Sequence, residues 1–268
     1  MDKLPQSAPQ DELQVALLQI NLKWEDPSAN FHRIADFLQQ LSPHTDLVLL
    51  PEMFSTGFTM NPDELGGFNA LEGVQQMRKW SLEHAFAIGG SLCIEENGKF
   101  FNRLLVFYQG EELVQYDKRH LFSLAGEEKV YTPGNSLALL KLKGWKICPL
   151  ICYDLRFPVW SRNADDVDLY LYVANWPERR IQAWEKLLQA RAIENMAYVA
   201  GVNRVGEDGQ GIAHNGASQI IDPLGEVILR QADHREGWIS ATLSWSTQQA
   251  LRARFGFLKD RDRFTLQL

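Results

Sequence analysis

The chain has 268 residues, 45% of them hydrophobic and 11% aromatic, enough to bury a sizeable core in one large domain or two small ones. Its formal net charge of -7, with Lys and Arg scattered and no basic run, leaves no electrostatic footprint for nucleic acid or an anionic membrane. No apolar run approaches the roughly 20 residues a membrane helix needs, and the opening MDKLPQSAPQDE lacks the apolar stretch of a signal peptide, so the expected location is the cytoplasm.

In chain order, apolar β-rich runs predict strands at 13–20, 47–50, 86–94, 101–108, 113–116, 145–151, 169–174, 198–202, 217–221 and 238–243. Several are unbroken apolar strings, as buried strands tend to be. Helical periodicity falls between them at 31–41, 71–86 and 181–196, the last following the breaker Pro177 and rich in Ala, Leu, Glu, Gln and Arg. Strands and helices alternate without a linker, a repeat or a low-complexity segment, so one α/β domain spanning 1–268 with two-layer sheet packing is the expected architecture. A polar N-terminal extension (1–12) and a C-terminal arm (244–268) flank it. The arm spaces Phe255 and Phe257 among Arg252, Arg254, Arg261 and Arg263, too charged for a core strand but suited to lying over a surface of the same subunit or of a partner.

Three strand ends carry chemistry. In DLVLLPEMFSTG, Pro51 cannot continue a central ladder, which leaves Glu52 at a strand's carboxyl end; alone it reads equally as a capping or surface glutamate. In ELVQYDKRHLF the strand runs into Lys118, Arg119 and His120, which alone could be a solvated cationic turn. The most specific is WKICPLICYDLRFPVW, where a buried strand ends in Cys152 and polar residues follow at once. A sharp strand-to-helix turn there exposes the thiol and aims backbone N–H groups at an attached oxygen. Cys93 and Cys148 lie inside apolar strands and read as inert core thiols. Three cysteines without ligand-like spacing indicate neither a disulfide framework nor a metal site.

Together these segments resemble the nitrilase, or carbon–nitrogen hydrolase, superfamily, whose signature is a glutamate, a lysine and a cysteine, each following a strand in that order. LLQIN, LVLLPEMF, YDKRHLF, YTPGN, CPLICYDLRFP, VANWP, QARAIENMAYV, VNRVG and GASQIIDPLGEV extend the likeness over nearly the whole chain. DKRHLF with CYDLRFPVWSRN is most similar to bacterial omega-amidases, which hydrolyse the terminal amide of 2-oxo dicarboxylic acid monoamides. The resemblance implies a four-layer α-β-β-α sandwich, subunits paired into a homodimer, a small-molecule amide substrate, and no metal or organic cofactor. It also implies a second glutamate between the lysine and the Pro-Gly landmark; spacing to Pro133-Gly134 favours Glu127 over Glu128.

A thiol with a pKa of about 8.5 needs a base to take its proton or a cation to stabilise the thiolate, and Glu52 and Lys118 are the expected suppliers. The oxyanion is expected to meet Lys118 and the backbone N–H of Tyr153. Phe122, Asn175 and Trp176 are expected around the substrate, with Phe54 and Phe157 as further water-excluding aromatics. Arg156, Arg103, Arg204 and His120 are the candidates for binding its carboxylate, and Arg156 could equally fix the turn by pairing with Asp154. Two other readings stay open: an N-carbamoyl amino acid amidase or nitrilase with the same triad, and a catalytically silent binding scaffold.

Overall fold

Residues alternate along the first strand in a way that sets the layering: Leu13, Val15 and Leu17 join one buried cluster while Ala16, Leu18 and Ile20 join another. Successive side chains in a strand point to opposite faces, so a strand apolar on both faces lies between two layers. A computed structural model describes residues 8–65 and 67–266; residues 1–7 of the expected extension and 267–268 of the expected arm lie outside the described residues.

The elements are β1 (Glu12–Gln19), α1 (Pro27–Leu38), β2 (Leu47–Leu49), α2 (Pro62–Leu65), α3 (Gly67–Glu83), β3 (Ala87–Glu96), β4 (Lys99–Tyr108), β5 (Glu111–Asp117), β6 (Leu140–Leu142), β7 (Trp145–Ile151), β8 (Leu169–Ala174), α4 (Ile181–Asn195), β9 (Tyr198–Asn203), β10 (Val205–Glu207), β11 (Ala213–Asn215), β12 (Gln219–Ile221), β13 (Val227–Arg230), β14 (Gly237–Ser244) and α5 (Trp245–Phe255). Two six-stranded sheets form, in the orders β14-β1-β2-β3-β4-β5 and β13-β12-β9-β8-β7-β6. β1, β2 and β3 are mutually parallel, and the antiparallel pairs β3–β4 and β4–β5 bring β5 back to the same direction. β7, β8 and β9 are parallel in the second sheet.

Leu47, Leu49, Leu104, Val106 and Tyr116 of the first sheet share a core with Ile147, Leu150, Leu171 and Val173 of the second, so the sheets pack face to face. The outer face of the first sheet carries Val48, Leu50, Ile88 and Phe107 against Phe31, Ile34 and Leu38 of α1 and Met77 and Trp80 of α3. Trp184, Leu188 and Ala192 of α4 cover the outer face of the second. The result is the four-layer α-β-β-α sandwich. Each such aliphatic side chain, fully buried, contributes roughly 1.5–3 kcal/mol.

Helix boundaries differ from the periodicity for local reasons. Asp26 caps α1 through Oδ1 accepting from the Ala29 N–H at 3.0 Å, and Pro27 takes the first turn, so the helix starts earlier than the predicted 31–41. α3 ends at Glu83, because Phe86 turns into the core ahead of β3. α4 stops at Asn195, where Met196 takes a left-handed φ of 45°. No helix among the described residues is long and apolar enough to cross a membrane.

Residues of the expected extension dock on this subunit: the Gln10 N–H donates to the Lys143 carbonyl at 2.9 Å, and Trp145 Nε1 donates to the Gln10 carbonyl at 2.8 Å. The expected arm opens as a helix, α5. Gln248 Nε2 donates to the Asp168 carbonyl at 2.8 Å and Arg252 reaches Asp168 at 3.1 Å, so its near part lies over the second sheet of its own subunit.

Candidate active site

Each of four strand ends delivers one polar group to a common point between the sheets. β2 is followed by Pro51 and Glu52, β5 by Lys118, β7 by Cys152 and β8 by Asn175. Glu52 and Glu127 are 0% exposed and Lys118 1%, so the three groups are out of water and a single ammonium must serve two carboxylates. Lys118 Nζ donates to Glu52 Oε1 at 2.9 Å and to both oxygens of Glu127, at 3.0 and 2.9 Å. Burial opposes the ammonium, but the Glu127 and Glu52 carboxylates outweigh it and hold Lys118 charged, above the ordinary lysine range. Burial raises the Glu127 carboxyl above its usual range against the pull of Lys118.

Glu127 sits in a short 3₁₀ turn and also accepts from the Phe122 N–H, whereas its neighbour Glu128 is exposed. Glu52 is held on every side: Asn102 Nδ2 donates to Oε1 at 2.8 Å, the Asn175 N–H donates to Oε2 at 2.8 Å, and Asn175 Nδ2 donates to its backbone carbonyl at 2.6 Å. The Asn102 amide also reaches Glu127 Oε1 at 3.4 Å, standing as a neutral spacer between two like charges.

Cys152 opens the 3₁₀ turn Cys152–Arg156 with a left-handed φ of 43°. A side chain rarely adopts that conformation at so sharp a strand-to-helix turn, and it survives because the surroundings fix it. Asp154 does most of the fixing. Its Oδ2 accepts from the Ile151 N–H at 3.1 Å and from the Tyr116 hydroxyl at 2.7 Å, and its Oδ1 accepts from the His120 N–H at 2.9 Å and ring Nδ1 at 2.8 Å. The Cys152 turn is thereby tied to β5 and to the segment after Lys118. Burial and the Glu52 and Glu127 charges raise the Cys152 thiol well above the ordinary cysteine value, despite the opposing pull of Lys118. The Lys118 charge alone therefore does not offset what raises the thiol.

Cys152 lines a cavity of about 160 Å³, with Phe122, Tyr153, Arg156, Asn175 and Trp176 on its wall, all expected near the substrate from sequence. Others belong elsewhere. Arg103 pairs with Asp117 at 2.6 Å and Glu96 at 2.7 Å, Arg204 is fully buried against backbone carbonyls, and His120 serves Asp154 with its ring stacked 3.7 Å from Phe157. Arg156 does not pair with Asp154; its guanidinium lies 5.1 Å over the Trp176 ring. Phe54 packs in the outer core with Phe31 and Trp80 instead of walling the cavity.

Asn102, Phe58, Arg179, Arg180 and the 208–214 loop with His214 are the parts that sequence reading missed. A lone amide in the apolar run FFNRLLVFY and the double arginine just beyond VANWP were the available signals. The 208–214 loop offers none.

A profile of the family described as carbon-nitrogen hydrolase matches residues 14–253. The chain is 45% identical to omega-amidase YafV of Yersinia enterocolitica, covering 95% of this chain and 98% of that protein. It is 32% identical to 2-oxoglutaramate amidase of Bacillus subtilis (strain 168), with 89% and 93% covered. Among solved structures, a CN-hydrolase superfamily protein of Xanthomonas campestris with an arsenic adduct in its active site superposes with a TM-score of 0.92 at 38% identity, covering 96% of this chain and 100% of the other.

Proposed function

The chain belongs to the carbon–nitrogen hydrolase family, and from that premise we propose that it is an omega-amidase in which Cys152, Glu52, Lys118 and Glu127 release ammonia from the terminal amide of a 2-oxo dicarboxylic acid monoamide. One observation carries the assignment: a thiol on the wall of a cavity able to admit a small amide, at the same strand ends as a buried carboxylate 2.9 Å from an ammonium that a second carboxylate clamps.

Chemistry follows from those contacts. Cys152 Sγ attacks the amide carbon as Glu52 takes its proton, and the carbonyl oxygen becomes an oxyanion. An ammonium has three donors. One is held by Glu52 and one spans the two oxygens of Glu127, which leaves one for that oxyanion beside the Tyr153 N–H. Protonated Glu52 then gives its proton to the leaving nitrogen, the C–N bond breaks, and ammonia departs from a thioester. Water attacks the thioester with Glu52 again as base, freeing the acid and restoring the thiol. Phe122, Trp176 and the Arg156 stem wall the cavity while this happens.

The enzyme acts, on the same reading, as a single cytoplasmic domain that pairs as a homodimer. Support for pairing comes from the solvent-facing apolar residues Ile193, Leu224, Val227, Ile228 and Leu229 around the edge strand β13, which sedimentation of the intact protein tests. For the activity, ammonia release from 2-oxoglutaramate is measured with Cys152→Ala as the blank. Turnover of an N-carbamoyl amino acid or a nitrile with no release from the 2-oxo monoamide sinks the substrate assignment.

A further inference from the structure

The cavity wall carries charge that the reaction at the amide does not use. Arg156, Arg179 and Arg180 line it against a single carboxylate, Asp208, in a chain whose net charge is -7. Asp208 is committed to its own turn, with Oδ1 accepting from the Gln210 and Ile212 N–H groups at 2.9 Å each. Among the described residues, none of the three arginines lies within 4.0 Å of a carboxylate. Arg103, Arg191, Arg230, Arg252 and Arg261 each have a carboxylate partner, whereas these three face the cavity without one.

Arg180 is the best held of the three. It is half-buried, its guanidinium lies 5.0 Å over the Phe122 ring, and its carbonyl accepts from Trp176 Nε1 at 2.9 Å, which pins the 3₁₀ turn Glu178–Arg180 to the cavity wall. Arg156 stands over the Trp176 ring of the same wall. Two guanidinium groups parked on aromatic faces keep their planar N–H forks available and lose little freedom on meeting an anion. Arg179 is exposed and has no such platform among the described residues. Burial, with the neighbouring Arg179 and Arg156 charges, lowers Arg180 from the ordinary guanidinium range.

We infer that Arg180, assisted by Arg156, binds the carboxylate of the substrate and makes the site selective for amides carrying a negative charge at the far end. This rests on the amidase reading, because the reacting amide must reach Cys152 while the anion lies on the wall that Phe122 and Trp176 share. It assigns the selectivity to a residue outside the four-group catalytic cluster. A charge-assisted hydrogen bond of this kind is worth about 10- to 100-fold in binding.

The test compares kcat and KM for 2-oxoglutaramate and for its neutral methyl ester in the wild type, Arg180→Gln, Arg180→Lys and Arg156→Gln. Arg180→Gln should lower the preference for the anionic amide by about 10- to 100-fold, chiefly through KM, with Arg180→Lys recovering part of it. Alkylation of Cys152 supplies a readout independent of the amide: Sγ displaces iodide from iodoacetate or from neutral iodoacetamide, and intact mass follows each rate. The ratio of anionic to neutral reagent should fall at least tenfold in Arg180→Gln. If the wild type releases no ammonia from either amide but the alkylation ratio still depends on Arg180, the amidase reading fails and the anion site stands. Should ammonia be released while both ratios stay within twofold of wild type, the amidase stands and Arg180 is not the anchor. A variant with an altered circular dichroism melt is replaced in both comparisons by Arg180→Lys, whose ratios must fall between the extremes.

Discussion

Replacing Glu127 by glutamine separates two consequences that an ordinary inactivating substitution would move together. The Glu127 carboxylate accepts Lys118 on both oxygens, at 3.0 and 2.9 Å, the Phe122 N–H on one, and the Asn102 amide at 3.4 Å on the other. An amide of the same shape keeps one acceptor and turns an NH₂ toward donors, so whichever way it lies one contact to Lys118 and one to a neutral N–H are lost. A hydrogen bond to a charged group is worth about 1.5–3 kcal/mol, and the loosened ammonium should cost about 10²- to 10³-fold in kcat/KM. The thiol responds in the opposite sense. The Glu127 charge is among the causes that raise Cys152, so neutralising it should move the alkylation profile of Cys152 to lower pH. Ammonia release and the pH dependence of iodoacetamide labelling are measured on one preparation, with the thermal melt as a control for folding. A fully active Glu127→Gln enzyme would mean that Lys118 needs no clamp, and a labelling profile displaced to higher pH would mean that the Glu127 charge does not raise the thiol; either result overturns this cluster chemistry.

Lys118→Ala should abolish measurable ammonia release and destabilise the fold by about 3–5 kcal/mol in urea titrations, because it strands two buried carboxylates, although its circular dichroism spectrum at 25 °C should stay native. Tyr116→Phe removes a hydroxyl that donates to Asp154 and accepts from Trp160 Nε1 at 3.0 Å; a loss of about 1–3 kcal/mol in urea titrations with a smaller drop in turnover is expected, and unchanged stability and turnover would show that the turn does not depend on it. His214 is lowered from 6.5 to about 4 by burial and by the Arg204 charge. The unfolded chain therefore binds a proton that the folded chain refuses between those values, so stability is full above about 6.5 and falls, by up to about 3 kcal/mol, as pH drops toward 4. His214→Gln should flatten that segment of the pH–stability curve, and an unchanged slope would remove His214 from the explanation.

Much of this site was legible because its groups stand where apolar strings stop. LVLLPE and PLICYD each place a polar residue where a buried apolar string stops, YDK does so at the end of the partly exposed β5, and such residues emerge at the sheet's rim. The packing of the sheets was harder to read. Nothing in the residue order alone states that β4 reverses direction so that β5 runs with β2, yet Lys118 meets Glu52 only through that reversal. Short elements escaped for lack of length: β6 and β13 are edge strands of three and four residues with no period to detect. Asn102 was hidden by composition, since one amide in an apolar strand has no partner until Glu52 and Glu127 arrive from 50 and 25 residues away. The supporting role of Asp154 was likewise invisible, because three of its four donors come from Tyr116 and His120, more than 30 residues away.

β1 pairs with β14 along its whole length, Glu12 opposite Ser244 through Gln19 opposite Gly237, while its other neighbour, β2, covers only Val15 to Leu17. As the polypeptide leaves the ribosome, the first strand must wait for the last before its outer row of amides is satisfied, although the acid, amine and sulfur have all been made long before. The sheet that ends at Glu52 and Lys118 is thus closed on one side by the strand that, among the described residues, is synthesised last.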